Sequence, residues 1–215
     1  MRFFNVLRKI LRKVQVAIDI LLTFPRSYNA RLFFFIKYNI LKREKSIFKI
    51  GRGGIEKKVR FLLWNTGNII IGDYSRIKRD CKIVINGGNL TIGEYVTVGE
   101  KCIFNVFSDI VIEDNVLMAD KINFITNEHS YTNVNIPINS SHVSAKPIFI
   151  GCETWIGINV TILAGTTLGK HCVIGANSVV KGVFPDYCVI AGCPARIIKK
   201  YDETSGRWMS CTIQE

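Results

Sequence analysis

Three histidines, His129, His142 and His171, are the side chains of this sequence that can both accept and release a proton near neutral pH. A neutral imidazole held against a hydroxyl acts as a general base, worth about 10²–10⁴ in rate. Their settings differ. His171 lies in a regular six-residue unit, one place before the small inward residue Cys172, and should face solvent. His142 lies near the far end of an irregular stretch. His129 lies in Thr126-Asn127-Glu128-His129-Ser130-Tyr131-Thr132-Asn133, where the regular pattern stops. The three do not have the spacing of a zinc site, which needs three or four good ligands. The seven cysteines include no C-x-x-C pair. Cys81, Cys102 and Cys172 occupy a small-residue position of the pattern and read as packing residues in a reducing compartment, not as disulfides or metal ligands.

The pattern around these residues has a period of six. Ile150, Ile156, Ile162, Leu168, Ile174 and Val180 recur at that interval, with Gly151, Gly157, Gly169 and Gly175 following. Thr154, Val160, Thr166, Cys172 and Ser178 stand four places after the aliphatics. Period six is neither the 3.6 of a helix nor the 2 of a hairpin strand. It marks an internal repeat. The same period is visible from Ile71 through Ile77 and Ile83, breaks at Asn86-Gly87-Gly88-Asn89, and resumes at Ile92, Val98 and Phe104. After a slip around Asp109 it runs through Ile112, Met118 and Phe124, then disappears from Thr126 to about Lys146.

A prism of three flat faces accounts for this. Each side takes six residues and each turn eighteen, so every sixth aliphatic stacks on its equivalent at the ~4.8 Å spacing of paired strands. Ile71–Val180 then makes roughly six turns, with a core that no single turn could bury alone. The expected fold is all-β: a parallel β-helix at residues 51–200, a basic helical arm at residues 1–50 and a tail at residues 201–215.

The net charge of +12 is unevenly spread. Residues 1–60 hold 16 of the 29 Lys and Arg and three acids, whereas the other 155 residues are close to neutral. Phe3, Leu7, Ile10, Val14, Ala17, Ile18 and Leu21 fall on one helical face opposite Arg8, Lys9, Arg12 and Lys13. Such a helix suits a membrane surface, or packs on the domain or a neighbouring subunit. Neither apolar stretch of the arm reaches the ~18–20 residues of a membrane span. The basic stretches lack the base-stacking aromatics and glycines of a nucleic-acid surface.

The Ile-Gly units, followed by Ile190-Ala191-Gly192-Cys193-Pro194-Ala195-Arg196, resemble the left-handed β-helix, hexapeptide-repeat acyltransferases over about residues 70–200. Within them the similarity is greatest to the galactoside, maltose and surface-polysaccharide acetyltransferases. That resemblance implies a left-handed coil and a homotrimer binding acetyl-CoA between neighbouring prisms, with no metal. It implies O-acetyl transfer to a sugar hydroxyl by a cytoplasmic protein, peripheral at the inner face of the plasma membrane. His129, fifteen residues after Asp114 of Glu113-Asp114-Asn115-Val116, occupies the place of the family's catalytic histidine. The family's glycine is Glu113 here, and Asn127 stands where related enzymes often carry a second histidine.

By the same resemblance, Asn105 contacts acceptor or thioester, or serves as a corner amide. Trp155 lines the pantetheine and acceptor pocket, or a subunit interface. Ile158 and Ala176 offer backbone groups to pantetheine, and Lys181, Arg196 and Lys199 lie near the CoA phosphates. Serine and antibiotic acetyltransferases share the repeat, but the former carry a longer, less basic helical domain. A non-enzymatic β-helical scaffold would gain nothing from a break at His129.

Overall fold

The computed structural model describes residues 46–211. The expected amphipathic helix of the arm lies outside the described residues. Within them, short parallel strands stack into three sheets, here called faces A, B and C, and the chain visits them in that order in each coil. Face A begins at Phe48–Ile50, which pairs with Ile69–Ile71. Gly51-Arg52-Gly53-Gly54, which reads as a hinge in the sequence, is the first A–B corner. The Gly51 N–H donates to the Ile71 carbonyl at 2.8 Å, and Arg52 pairs with Asp73 at 2.7 Å.

The core follows from which residues point inward. Ile71, Ile92, Ile112, Ile150, Leu168 and Phe184 stack in register on face A. Phe61, Ile83, Phe104, Phe124, Ile162 and Val180 do so on face C. All twelve are buried, each contributing about 1.5–3 kcal/mol of hydrophobic stabilisation. Phe104 and Phe124 stack with ring centroids 4.8 Å apart. The small positions are filled as expected: Cys81, Cys102, Thr154, Cys172 and Ser178 are buried beside that core. Burial pushes the Cys172 thiol up to about 11, so it stays a packing group.

The coils are less uniform than a period of eighteen implies. Ile71 pairs with Ile92, and Ile92 with Ile112, because the C–A corners of these coils take extra residues. Five coils, not six, therefore separate Ile71 from Val180. The long corners are held by an amide ladder. Asn68 Oδ1 accepts from the Ile47 N–H, Asn89 Oδ1 from Asn68, and Asp109 Oδ1 from Asn89, at 2.8–3.0 Å.

Glycine's part at the other corners also differs from simple turning. Lys101, Lys121, Asn159 and Asn177 themselves take the left-handed conformation there, with φ near 60°. Gly157 instead admits the next coil, since a Cβ would lie 2.8 Å from the Ala176 nitrogen and the Ile174 oxygen. Past residue 200 the chain is still sheet: Ala195–Asp202 and Arg207–Ser210 extend face B as antiparallel strands. Trp208 packs on Tyr201 of the same hairpin, with centroids 5.5 Å apart.

Candidate active site

The break in the repeat is built on Thr126. This residue follows the face C strand of the fourth coil, Asn123–Ile125, and is fully buried. Its hydroxyl donates to the Asn105 carbonyl at 2.8 Å and accepts from the Phe107 and Ser108 N–H groups at 2.8 and 3.2 Å. Its carbonyl accepts from the Lys146 N–H at 2.9 Å, which closes the excursion on itself. A threonine supplies both roles because its hydroxyl is at once donor and acceptor. Nothing in the sequence separates it from the buried Thr154 and Thr166 of the regular coils, and sequence reasoning missed it.

The excursion is irregular at its tip and ordered at its base. Asn127–His129 pairs antiparallel with Val143–Ala145, His129 opposite Val143 and Glu128 opposite Ser144. His129 therefore stands on a two-stranded ribbon, exposed, three residues from the Thr126 anchor. His142, exposed, immediately precedes the partner strand, its carbonyl accepting from the Ser130 N–H at 2.9 Å. Glu128, next to His129, turns the other way, as neighbours in a strand do. Its Oε1 lies 2.5 Å from Lys181 Nζ. Lys181 follows the face C strand two coils further on, so this ion pair draws the ribbon over the intervening coil.

The residues marked out in the sequence fall into three groups. Asn105, His129 and Lys181 share face C and its trailing corner; Asn105 is paired with Ile125, immediately before Thr126. Ile158 and Ala176 lie one above the other at the B–C corner, both exposed. Trp155 is on face B, 52% exposed, flanked in register by Leu117 and Val173. Arg196 and Lys199 are on the antiparallel extension of face B, exposed. Faces B and C meet at an edge and look in different directions. One chain therefore places Asn105, Lys181 and the ribbon bearing His129 on the face C side, and Trp155, Arg196 and Lys199 on face B.

His171 faces solvent, as its place before Cys172 implies, with Nδ1 3.1 Å from Glu153 Oε2. The His171 hydrogen bond, helped by Lys170, holds the Glu153 carboxyl below its usual range. Among the described residues no group of three or more His, Cys, Asp or Glu is placed to hold a metal, and no helix is long and apolar enough to cross a membrane.

Known proteins are similar to this chain in sequence and in fold. Residues 147–182 match the bacterial transferase hexapeptide (six repeats) family. The probable acetyltransferase Rv3034c of Mycobacterium tuberculosis is 39% identical over 104 residues, 48% of this chain and 35% of that protein. The putative lipopolysaccharide biosynthesis O-acetyl transferase WbbJ of Escherichia coli is 41% identical over 107 residues, 46% of this chain and 54% of its own. The chain thus spans between a third and about half of these relatives. In shape, the hexapeptide-repeat acetyltransferase VCA0836 of Vibrio cholerae, solved with acetyl-CoA, superposes over 93% of this chain and 90% of its own. Its TM-score is 0.53 at 22% identity, a likeness of fold. Repeat, stacked coils and relatives agree: this chain carries the bacterial transferase hexapeptide repeat.

Proposed function

We propose that the protein is an acetyl-CoA-dependent O-acetyltransferase that esterifies a sugar hydroxyl in bacterial surface-polysaccharide synthesis. It works as a homotrimer of left-handed prisms. The observation that carries this reading is the His129 ribbon, anchored by Thr126 against Asn105 at the point where the repeat breaks. A rigid stack interrupted once, with an exposed imidazole on the interruption, suits proton removal from a bound hydroxyl.

In the reaction, His129 takes the hydroxyl proton as the sugar oxygen bonds to the acetyl carbonyl carbon of acetyl-CoA. The carbonyl oxygen becomes an oxyanion stabilised by a backbone N–H. The C–S bond breaks as the oxyanion collapses, and the proton on His129 passes to the departing thiolate. The products are the acetyl ester and CoA, with no acyl-enzyme and no metal. Ile158 and Ala176 offer backbone groups to pantetheine, while Arg196 and Lys199 meet the CoA phosphates. Trp155 of a neighbouring copy closes the pocket over the Asn105–His129 group. The three-way division of these residues supports a site shared between prisms. Lys181 is bonded to Glu128, so we assign it to holding the ribbon in the free protein.

The sugar acceptor is supported by WbbJ, named for lipopolysaccharide O-acetyl transfer, and by the galactoside O-acetyltransferase of Escherichia coli, 36% identical over 99 residues. The basic arm would hold the protein at the inner membrane face, where lipid-linked glycans are assembled. Incubation with acetyl-CoA and a panel of de-O-acetylated glycans, followed by mass spectrometry, tests the assignment. Ester formation with stoichiometric thiol release is expected. Acetyl-CoA bound but transferred to no glycan would overturn it.

A further inference from the structure

The described residues are not neutral. They hold 18 Lys and Arg against 14 Asp and Glu, and the excess sits at one end of the prism. Residues 46–89 alone carry nine cations and three acids. Most of that charge lies along the B–C edge, where the chain turns from the second face to the third. Successive coils place Glu56-Lys57-Lys58, Lys78-Arg79-Asp80, Gly99-Glu100-Lys101 and Ala119-Asp120-Lys121 at this corner. The next two coils place Gly157-Ile158-Asn159 and Gly175-Ala176-Asn177 there. The edge is charged for four coils and uncharged for two. The change falls where the His129 ribbon leaves the stack.

The acids of this edge are mostly committed inside the fold. Glu56 accepts from the Arg79 N–H at 3.2 Å, Glu100 pairs with Arg79 at 2.9 Å, and Asp120 accepts from the Glu100 N–H at 2.8 Å. Asp80 alone keeps a carboxylate with no such bond. Lys58, Lys78, Lys101 and Lys121 have no side-chain partner among the described residues. Nor do Arg60 and Lys82, which sit side by side where the face C strands begin. Lys58, Lys101 and Lys121 hold the left-handed conformation at φ 58–65°. Asparagine tolerates that conformation better, and asparagine fills it in the two uncharged coils. At these three corners the sequence keeps a cation against local preference.

From this deviation, and from the direction in which the edge leads, we propose that the B–C edge of the first four coils is a binding track for an anionic glycan chain. The track delivers a carboxylate-bearing acceptor to the Asn105–His129 group. It deepens the O-acetyltransferase reading and rests on it. Lys58, Lys101 and Lys121 hold one corner position in the first, third and fourth coils; in the second, Asp80 holds it and Lys78 stands two residues before, so the edge carries one unpartnered lysine per coil, at about 4.8 Å per coil. From Lys121 the face C strand runs four residues to Ile125, roughly 13 Å at strand rise, ending beside Asn105. A linear polyanion matches a line of charges one coil apart. A bilayer surface fits less well: no large apolar side chain is exposed at these corners before Ile158, and an interfacial site needs one to insert.

The test uses the full chain and two polymers of equal length, polygalacturonate and dextran, with affinity measured by fluorescence anisotropy at low and high salt. The variant is Lys58→Asn, Lys78→Gln, Lys101→Asn and Lys121→Asn combined; asparagine at left-handed corners keeps the fold, and acetyl-CoA calorimetry verifies it. Polygalacturonate should bind, lose affinity as salt rises, and bind the variant at least tenfold more weakly, whereas dextran should not bind. Equal affinity for the two polymers, or equal binding by wild type and variant, would overturn the track. Binding to phosphatidylglycerol vesicles that requires the same four lysines and excludes polygalacturonate would overturn it in favour of a membrane. Polyanion binding without acetyl transfer would count against the enzyme reading and leave the track standing. Transfer to neutral glycans alone would do the reverse.

Discussion

Lys181 and Glu128 are 53 residues apart in the sequence, and Lys181 Nζ lies 2.5 Å from Glu128 Oε1. The bond connects the sixth coil to the ribbon that bears His129. Both side chains are well exposed, at 54% and 37%, so the pair is worth about 0–1 kcal/mol to folding. Its consequence is positional. Lys181→Ala and Glu128→Gln should each leave the melting temperature nearly unchanged and lower kcat/KM several-fold. The double variant should do no worse than either single one. A double-mutant cycle on kcat/KM checks this. A rise in the acetyl-CoA Kd for Lys181→Ala alone would return that lysine to the CoA phosphates.

Thr126 is the other support of the ribbon, and it is buried where Lys181 is exposed. Thr126→Val keeps the shape and removes the hydroxyl, which takes their acceptor from the Phe107 and Ser108 N–H groups. A loss of about 1–3 kcal/mol is expected in urea unfolding. Thr126→Ser should recover most of both stability and turnover. Full turnover in the valine variant would mean that the ribbon does not depend on this anchor.

Acid should weaken the A–B edge first. The Arg52 guanidinium, through its side-chain and backbone bonds, holds Asp73 below the usual carboxylate range; His171 and Lys170 do the same for Glu153. A carboxylate whose folded pKa is depressed adds stability above its unfolded value, near 4, and that stability disappears as pH falls through the lower folded value. Melting temperature should therefore hold from pH 7 to about 5 and fall below about 4. Asp73→Asn should flatten part of that fall. An unchanged acid limb in this variant would remove the edge pairs as its cause.

Much of the fold was legible because the stack repeats one physical requirement. Each coil needs an inward aliphatic such as Ile150 or Ile162 at the middle of a side, and a small residue such as Cys172 where the side bends. Period six held on the A-to-B and B-to-C sides of the prism. It failed at the C–A corner, where the amide ladder Asn68–Asn89–Asp109 supports loops of different length that no hydrophobic period records. The end of the expected arm differs for a local reason: Lys49 lies within residues 1–50, and the strand at Phe48–Ile50 makes it part of the prism.

The candidate site was legible in its residues more than in its assembly. His129 stands out because the pattern stops around it. That Glu128 reaches Lys181 depends on the ribbon leaning across one coil, a tertiary relation with no local signature. Trp155 and Asn105 lie on different faces of a single prism, which no reading of spacing along one strand could reveal.

The account rests on His129 as the base. Steady-state turnover of acetyl-CoA with an acceptor glycan, comparing wild type with His129→Ala at saturating donor, tests it directly. A fall in kcat of about 10²–10⁴, with acetyl-CoA affinity unchanged, is predicted. Undiminished kcat in His129→Ala would contradict the mechanism.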